Sequence, residues 1–287
     1  MFMRFNYKCT AIIPILLFQA SLVHAETTDC TAITSLPYTI NTQGIYCLID
    51  KISTNITTGN AIEITVNNVT IDLNENALGG LGAGTATTAV GIYAYQKKNI
   101  TIKNGVVRGF RTGIHLDDDA SNAASTGNVV QGILADQNRQ IGIRMEGTGN
   151  AVLNSRVVNT GGTPAEPDLN SRGILLAGPG GKMRGNSVSG TYTLGTGNSF
   201  ANGIVASNAN GVFIHGNGVF AESVVANTRG IVVTNSSVGA IVRNNDIVNT
   251  EIGINFSSGG TGKYWNNLTT GVTTPFSGGT PIGNNNN

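Results

Sequence analysis

The sequence predicts an all-β fold, a single-stranded right-handed parallel β-helix, on three observations. A Gly-Ile-x-apolar unit returns at Gly91, Gly113, Gly142, Gly173, Gly203, Gly230 and Gly253, at intervals of 22, 29, 31, 30, 27 and 23 residues. Each unit is followed by a second short apolar run beside Asn or Gly, as in ITIKNG, AVLNS, KMRGN, FIHGN, IVRNN and KYWNN. Past residue 25 no segment carries a helical apolar stripe. Self-similarity of this length marks a solenoid, in which a repeat buries its apolar face only by stacking on its neighbours. A left-handed helix of hexapeptides is disfavoured, because 22, 29 and 31 are not multiples of six.

In chain order, residues 1–25 read as a secretory signal peptide. Arg4 and Lys8 precede the apolar run Ala11–Phe18, and Val23-His24-Ala25 fits a small-residue cleavage site. No later run approaches the ~20 apolar residues of a membrane span. Segment 26–60 precedes the established repeat and reads as an N-terminal cap, which would cover the open strand edge of the first coil. Cys9 belongs to the signal, so Cys30 and Cys47 remain, 17 apart, and most simply form one disulfide in an exported chain. A redox or metal pair would want closer spacing and a nearby His. Segment 61–270 is the β-helix, opened by the alternating AIEITVNNVTIDLN, and segment 271–287, rich in Thr, Gly, Pro and Asn, reads as an irregular tail.

Within each Gly-Ile-x-apolar strand the second and fourth residues should face inward and the third and fifth outward. Asn104, Asn154, Asn186, Asn217, Asn244 and Asn266 recur at the corners and read as hydrogen-bonded ladders between coils. Three insertions, 118–127, 160–171 and 190–201, interrupt the regularity, and loops on one side of a solenoid commonly wall its binding face. Only 11% of residues are charged, and removing Arg4 and Lys8 takes the net charge from +1 to −1. A nucleic-acid partner therefore lacks its usual electrostatic footprint.

On LPYTINTQGIYCL, NVTIDLNENALGG, NITIKNGVVRGF and the GI strands, over about residues 36–270, the chain resembles secreted right-handed parallel β-helix proteins of the pectate-lyase-like superfamily. The resemblance implies the fold and a secreted, periplasmic or extracellular setting. It implies no single activity, since that superfamily includes polysaccharide lyases, glycoside hydrolases, epimerases, tailspikes and adhesins. The Asn-Thr-Asp and Arg-Ile-Lys motifs of polygalacturonases do not occur here. Asp117-Asp118-Asp119 is the only Asp run, and His215 lies in Ile-His-Gly.

Stacking the repeats by position sorts the outward residues into columns. The third-position column runs Tyr93, His115, Arg144, Leu175, Val205, Val232, Asn255; the fifth runs Tyr95, Asp117, Glu146, Ala177, Ser207, Thr234, Ser257. Ionisable and aromatic groups thus gather on the first three GI coils. Asp117 and Glu146, one coil apart, suit a retaining glycosidase pair and equally suit oxygen ligands for Ca²⁺. Arg144 and His115 complete the candidate catalytic set, with Tyr93, Tyr95, Asp118 and Asp119 as candidate sugar-binding residues. A further outward column, Lys103, Arg184, His215, Arg243 and Trp265, reads as a solvated basic face. The expectation is a secreted protein that binds an extracellular or cell-envelope polysaccharide over the first repeat strands. Its enzymatic form is a polysaccharide lyase or glycoside hydrolase, and its rival is an adhesin-like structural solenoid that engages protein partners.

Overall fold

The computed structural model describes residues 29–164, 166–195 and 199–286. The signal-peptide segment 1–25 lies outside them. The chain is a parallel β-helix, and its one helical element among the described residues is the 3₁₀ turn Leu81–Ala83. A ten-stranded front sheet carries the GI units. Its strands include Asn60–Ile64, Val90–Tyr95, Thr112–Asp117, Ile141–Glu146, Ser171–Ala177, Ala201–Ser207, Thr228–Thr234 and Ile252–Phe256. Register follows the repeat: Ile92, Ile114, Ile143, Ile174, Ile204, Ile231 and Ile254 stack as one column. All seven are 0% exposed. Each such side chain contributes about 1.5–3 kcal/mol on burial, so the column alone accounts for much of the drive to stack.

The remaining strands form two more faces. They merge into one 18-stranded sheet because Ile100–Arg108 and Val129–Asp136 each run through both. On these faces Ile102, Val130, Val152, Met183, Ile214 and Val242 form a second buried column, and Val107, Ala135, Val157, Val188, Val219 and Ile247 a third. Three inward columns close a continuous core along the axis.

Corners between these two faces bear out the expected Asn ladder at Asn186 and Asn217 and shift it by one residue at Asn244 and Asn266. Asn104, Asn154, Asn244 and Asn266 hold left-handed backbone, with φ of 55°, 47°, 54° and 51°, a role taken by Gly185 and Gly216 in the coils between. Asn tolerates that region because its short side chain bonds locally. The ladder itself is formed by the next residues: Asn186, Asn217, Asn245 and Asn267, ending on Asn285. The Oδ1 atoms of Asn217, Asn245, Asn267 and Asn285 each accept both the main-chain N–H and the Nδ2 of the preceding coil's Asn, at 2.9–3.3 Å, and that of Asn186 accepts the Ser155 N–H. Each Nδ2 also donates to a core carbonyl, such as Asn217 to Met183 and Asn245 to Ile214. Asn186, Asn217, Asn245 and Asn267 are at most 2% exposed, so every lost bond leaves a buried orphan. Asn245→Ala is therefore expected to destabilise the fold by about 3 kcal/mol, while Asn244→Gly leaves stability unchanged or slightly raised. Thermal unfolding of the two variants checks this; equal losses would contradict the assignment of ladder and corner.

Both ends extend further than the sequence reading allowed. Tyr38–Ile40 already pairs with Asn60–Ile64, and Gly44–Cys47 with Val69–Asp72, so most of segment 26–60 is a coil of the helix. The outermost strand, Thr31–Ala32, lies on Tyr46–Cys47 and is tied there by the Cys30–Cys47 disulfide. At the other end the tail is not irregular. Thr274–Ser277 and Thr280–Pro281 pair with Ile252–Asn255 and Lys263–Tyr264. Phe256, Tyr264 and Phe276 stack there, with ring centroids 5.9 and 5.0 Å apart. The composition of 271–287 concealed these strands because their partners and apolar contacts come from the preceding coil.

Candidate functional site

Register on the front sheet brings the expected residues together. Tyr93, His115 and Arg144 are successive partners, and so are Tyr95 and Asp117. Inward Ile114 and Leu116 alternate with outward His115 and Asp117, which fixes both polar side chains on the solvent face. Asp117 is the centre of the cluster. It accepts a 2.9 Å bond from the Tyr93 hydroxyl and a 3.0 Å bond from the Asp118 main-chain N–H. His115 Nε2 lies 3.3 Å from its Oδ1, without the alignment of a well-formed hydrogen bond. Arg144 clasps Glu146 Oε1 through Nε at 2.9 Å and Nη2 at 2.6 Å. One ligand atom each from His115, Asp117 and Glu146 lie within 4.8 Å of one another.

The two carboxyls are driven apart in acidity. Burial alone would raise Asp117, but contacts from His115, Glu146 and Tyr93, with the His115 charge, outweigh it and hold Asp117 well below the usual range. Burial pushes Glu146 up, and so does its interaction with Asp117; Arg144 offsets only part of this. Burial and the bond to Asp117 likewise raise Tyr93. The pair thus sets an Asp117 that ionises more readily than an ordinary aspartate beside a Glu146 that holds its proton to higher pH than an ordinary glutamate.

A groove of about 470 Å³ runs from this pair over the next coils. Its floor is Leu175, Ala177, Val205, Ser207 and Thr234, the small and apolar continuation of the two columns. One edge is the insertion after the Asp run. Within it Asp118 does not face a ligand freely: it is 7% exposed, and its carboxylate accepts the main-chain N–H groups of Asp119, Ala124 and Ser125, stapling the loop. Asp119 is held by Ser121 and Gln96. Tyr95 stays 44% exposed beside Asp117. The described residues of the insertions 160–171 and 190–201 do not line this groove. Glu166 of the first pairs with Arg111, and Tyr192 of the second lines a separate crevice of about 330 Å³.

Sequence reasoning missed Arg172. It lines the groove, is largely buried, and has no carboxylate partner among the described residues; burial and the charge of Arg144 both disfavour its cation. The signal was hidden by the repeat glycine. Pairing skips it, so Thr112, Ile141, Arg172 and Asn202 form an outward column that simple alternation assigns to Gly. Calcium fits this cluster poorly. It wants six or more oxygens, whereas the site offers two carboxyls, one clasped by Arg144, and an imidazole nitrogen. That donor set suits a borderline divalent metal better.

Solved structures of similar shape are parallel β-helix proteins. One is a tailspike of E. coli bacteriophage HK620, an Asp- and Glu-to-Ala double mutant in complex with a pentasaccharide. It matches at TM-score 0.52 and 13% identity over 80% of this chain and 43% of its own. Pectate lyase Pel9A matches at 0.43 and 16% over 82% and 68%. An alginate lyase from Paenibacillus sp. str. FPU-7 matches at 0.38 and 14% over 79% and 92%. This chain spans less than half of the tailspike's length. What is shared is the fold. No family model matches the sequence, and no curated protein does. No helix among the described residues is long and apolar enough to cross a membrane.

Proposed function

We propose that the chain binds an acidic polysaccharide along the front groove and hydrolyses a glycosidic bond at its Asp117–Glu146 end, outside the cell or within its envelope. The observation that carries this reading is the pair itself. Two carboxyls on adjacent coils, with oxygens within 4.8 Å and acidities displaced in opposite directions, stand at the head of an open groove. Carboxyls this close leave no room for the water that an inverting glycosidase holds between its pair, so retention is the outcome this pair supports. Glu146 then donates a proton to the leaving oxygen as Asp117 attacks the anomeric carbon and the glycosidic C–O bond breaks; water, giving its proton to Glu146, next displaces Asp117 from that carbon and releases the sugar. Arg172 and Arg144 supply positive charge for the sugar's carboxylate. No step is routed through a metal.

The HK620 tailspike structure, which holds an oligosaccharide on the same fold, supports the direction of this reading. The Arg144 clasp on Glu146 favours a second one, binding without turnover, because the acid's Oε1 is already engaged. The test is binding of the protein to an array of acidic and neutral glycans, followed by reducing-end release and NMR of the first product's anomer. Binding and release with retained configuration, unchanged by EDTA, is the expected result. Binding without release selects the second reading. Absence of binding to any glycan sinks both and leaves the structural solenoid.

A further inference from the structure

We infer that a second face of the solenoid, remote in register from the front groove, is a docking track for an anionic glycan chain. The track lies on the strands Lys182–Arg184, Phe213–His215, Ala240–Arg243 and Gly262–Trp265, which stack in parallel. Their middle residues Met183, Ile214, Val242 and Tyr264 are buried, which turns the flanking side chains outward. Two outward columns result: Lys182, Phe213, Ile241, Lys263 and Arg184, His215, Arg243, Trp265.

The charge on this face is of one sign and uncompensated. No Asp or Glu occurs in 178–186, 209–217, 235–245 or 257–267. Lys182, Arg184, Arg243 and Lys263 make no ion pair among the described residues, whereas on the coils above Lys103 pairs with Asp72 at 2.9 Å and Arg108 with Asp136 at 3.4 Å. Arg243 is fixed by rings instead of by a carboxylate. Its guanidinium lies 5.2 Å from the Phe213 ring and 5.5 Å from Trp265, and the Phe213 ring lies 5.5 Å from His215, tilted by 31°. The Nε of Arg243 and the Nδ1 of His215 are buried without hydrogen-bond partners. A solvated face has no need of such order: free lysines and arginines would sample many rotamers, while this one is held by cation–π contacts.

The chemistry selects the occupant. Rungs recur every ~4.8 Å, so Arg184 and Arg243 present cations ~10 Å apart along a straight line. That is the geometry of an extended polymer with regularly spaced carboxylates or sulfates. Trp265 and Phe213 add apolar surface for the C–H faces of sugar rings. Nucleic acid is disfavoured, because the whole chain has a pI near 7.7, whereas such domains usually exceed pI 9. The inference does not depend on the front groove or on turnover there.

The test uses affinity electrophoresis of the protein through gels containing polygalacturonate, dextran sulfate or neutral dextran. The variants are Lys182→Glu/Lys263→Glu, at exposed positions that leave the ring stack in place, and Arg243→Gln. Arg144→Gln/Arg172→Gln, which removes the cations of the front groove, serves as the front-groove control. Retardation by the two anionic gels and not by dextran is expected, weakening as salt rises. It should fall at least tenfold in the charge-reversal variant and persist in the front-groove variant. Equal retardation of wild type and charge-reversal variant, or none in any gel, overturns the proposal. Equal retardation by duplex DNA and by both anionic glycans overturns the glycan assignment.

Discussion

Gly173→Ala is expected to destabilise the solenoid by about 3 kcal/mol or more, because the added methyl has nowhere to go. A Cβ on Gly173 would meet the Gly203 carbonyl oxygen at 2.6 Å and the Val188 side chain closer still. The same holds along the whole column. Gly113, Gly142, Gly203 and Gly230 would each meet the next glycine's carbonyl at 2.6–2.8 Å. These glycines are not there for left-handed backbone. They let each coil lie directly against the next at the turn into the front sheet. Gly180→Ala is the control: its φ is +68° but nothing lies within 4 Å of a Cβ, so only the left-handed strain of about 1–2 kcal/mol applies. Thermal and urea unfolding of both variants read the difference. A Gly173→Ala protein as stable as wild type would show that the column does not set the coil spacing.

Glu146→Gln and Asp117→Asn should each lower turnover of a bound glycan by about 10²–10⁴, the usual contribution of a positioned proton donor or its partner, with binding largely retained. The pH profile of the wild type should be a bell. Its alkaline limb belongs to Glu146 and lies above the ordinary glutamate range, because burial and Asp117 raise that group. Arg144→Gln removes the charge that holds Glu146 down, so this limb should move to higher pH; a limb that stays put removes Arg144 from the mechanism. Stability carries the same signature with opposite signs. The raised Glu146 contributes stability that is full below about pH 4.3 and lost as pH rises through its folded value. The Glu146→Gln protein should therefore gain in Tm relative to wild type between pH 4 and pH 8. The lowered Asp117 contributes above about pH 3.9 and loses it as pH falls, so Asp117→Asn costs most at neutral pH. A Tm difference independent of pH would mean that neither carboxyl is perturbed.

The columns were legible because a two-residue period and a recurring Gly-Ile pair fix both face and register, and Tyr93, His115 and Arg144 fall where counting puts them. Three things escaped. Arg172 sits across a skipped residue, so alternation assigns its place to the glycine beside it. The ladder Asn and the corner Asn are adjacent and identical in letter; only backbone angle and burial separate Asn244 from Asn245. Asp118 reads in the sequence as a candidate sugar-binding residue, yet its carboxylate serves three main-chain N–H groups that only the closed loop brings together. What the sequence conceals, here as at the two ends of the helix, is which groups become partners once the coils stack.

The Asn ladder also has a direction. Every side-chain oxygen accepts from the coil before it, and every side-chain nitrogen reaches back to that coil's carbonyl. Each interior coil thus presents on one side the counterpart of what it presents on the other. A copied ladder coil inserted between two others would find its corner bonds waiting, and a deleted one would leave ladder neighbours that still match at this corner. Length in this molecule is a free variable, bounded only by the disulfide-tied strand at one end and the aromatic stack at the other.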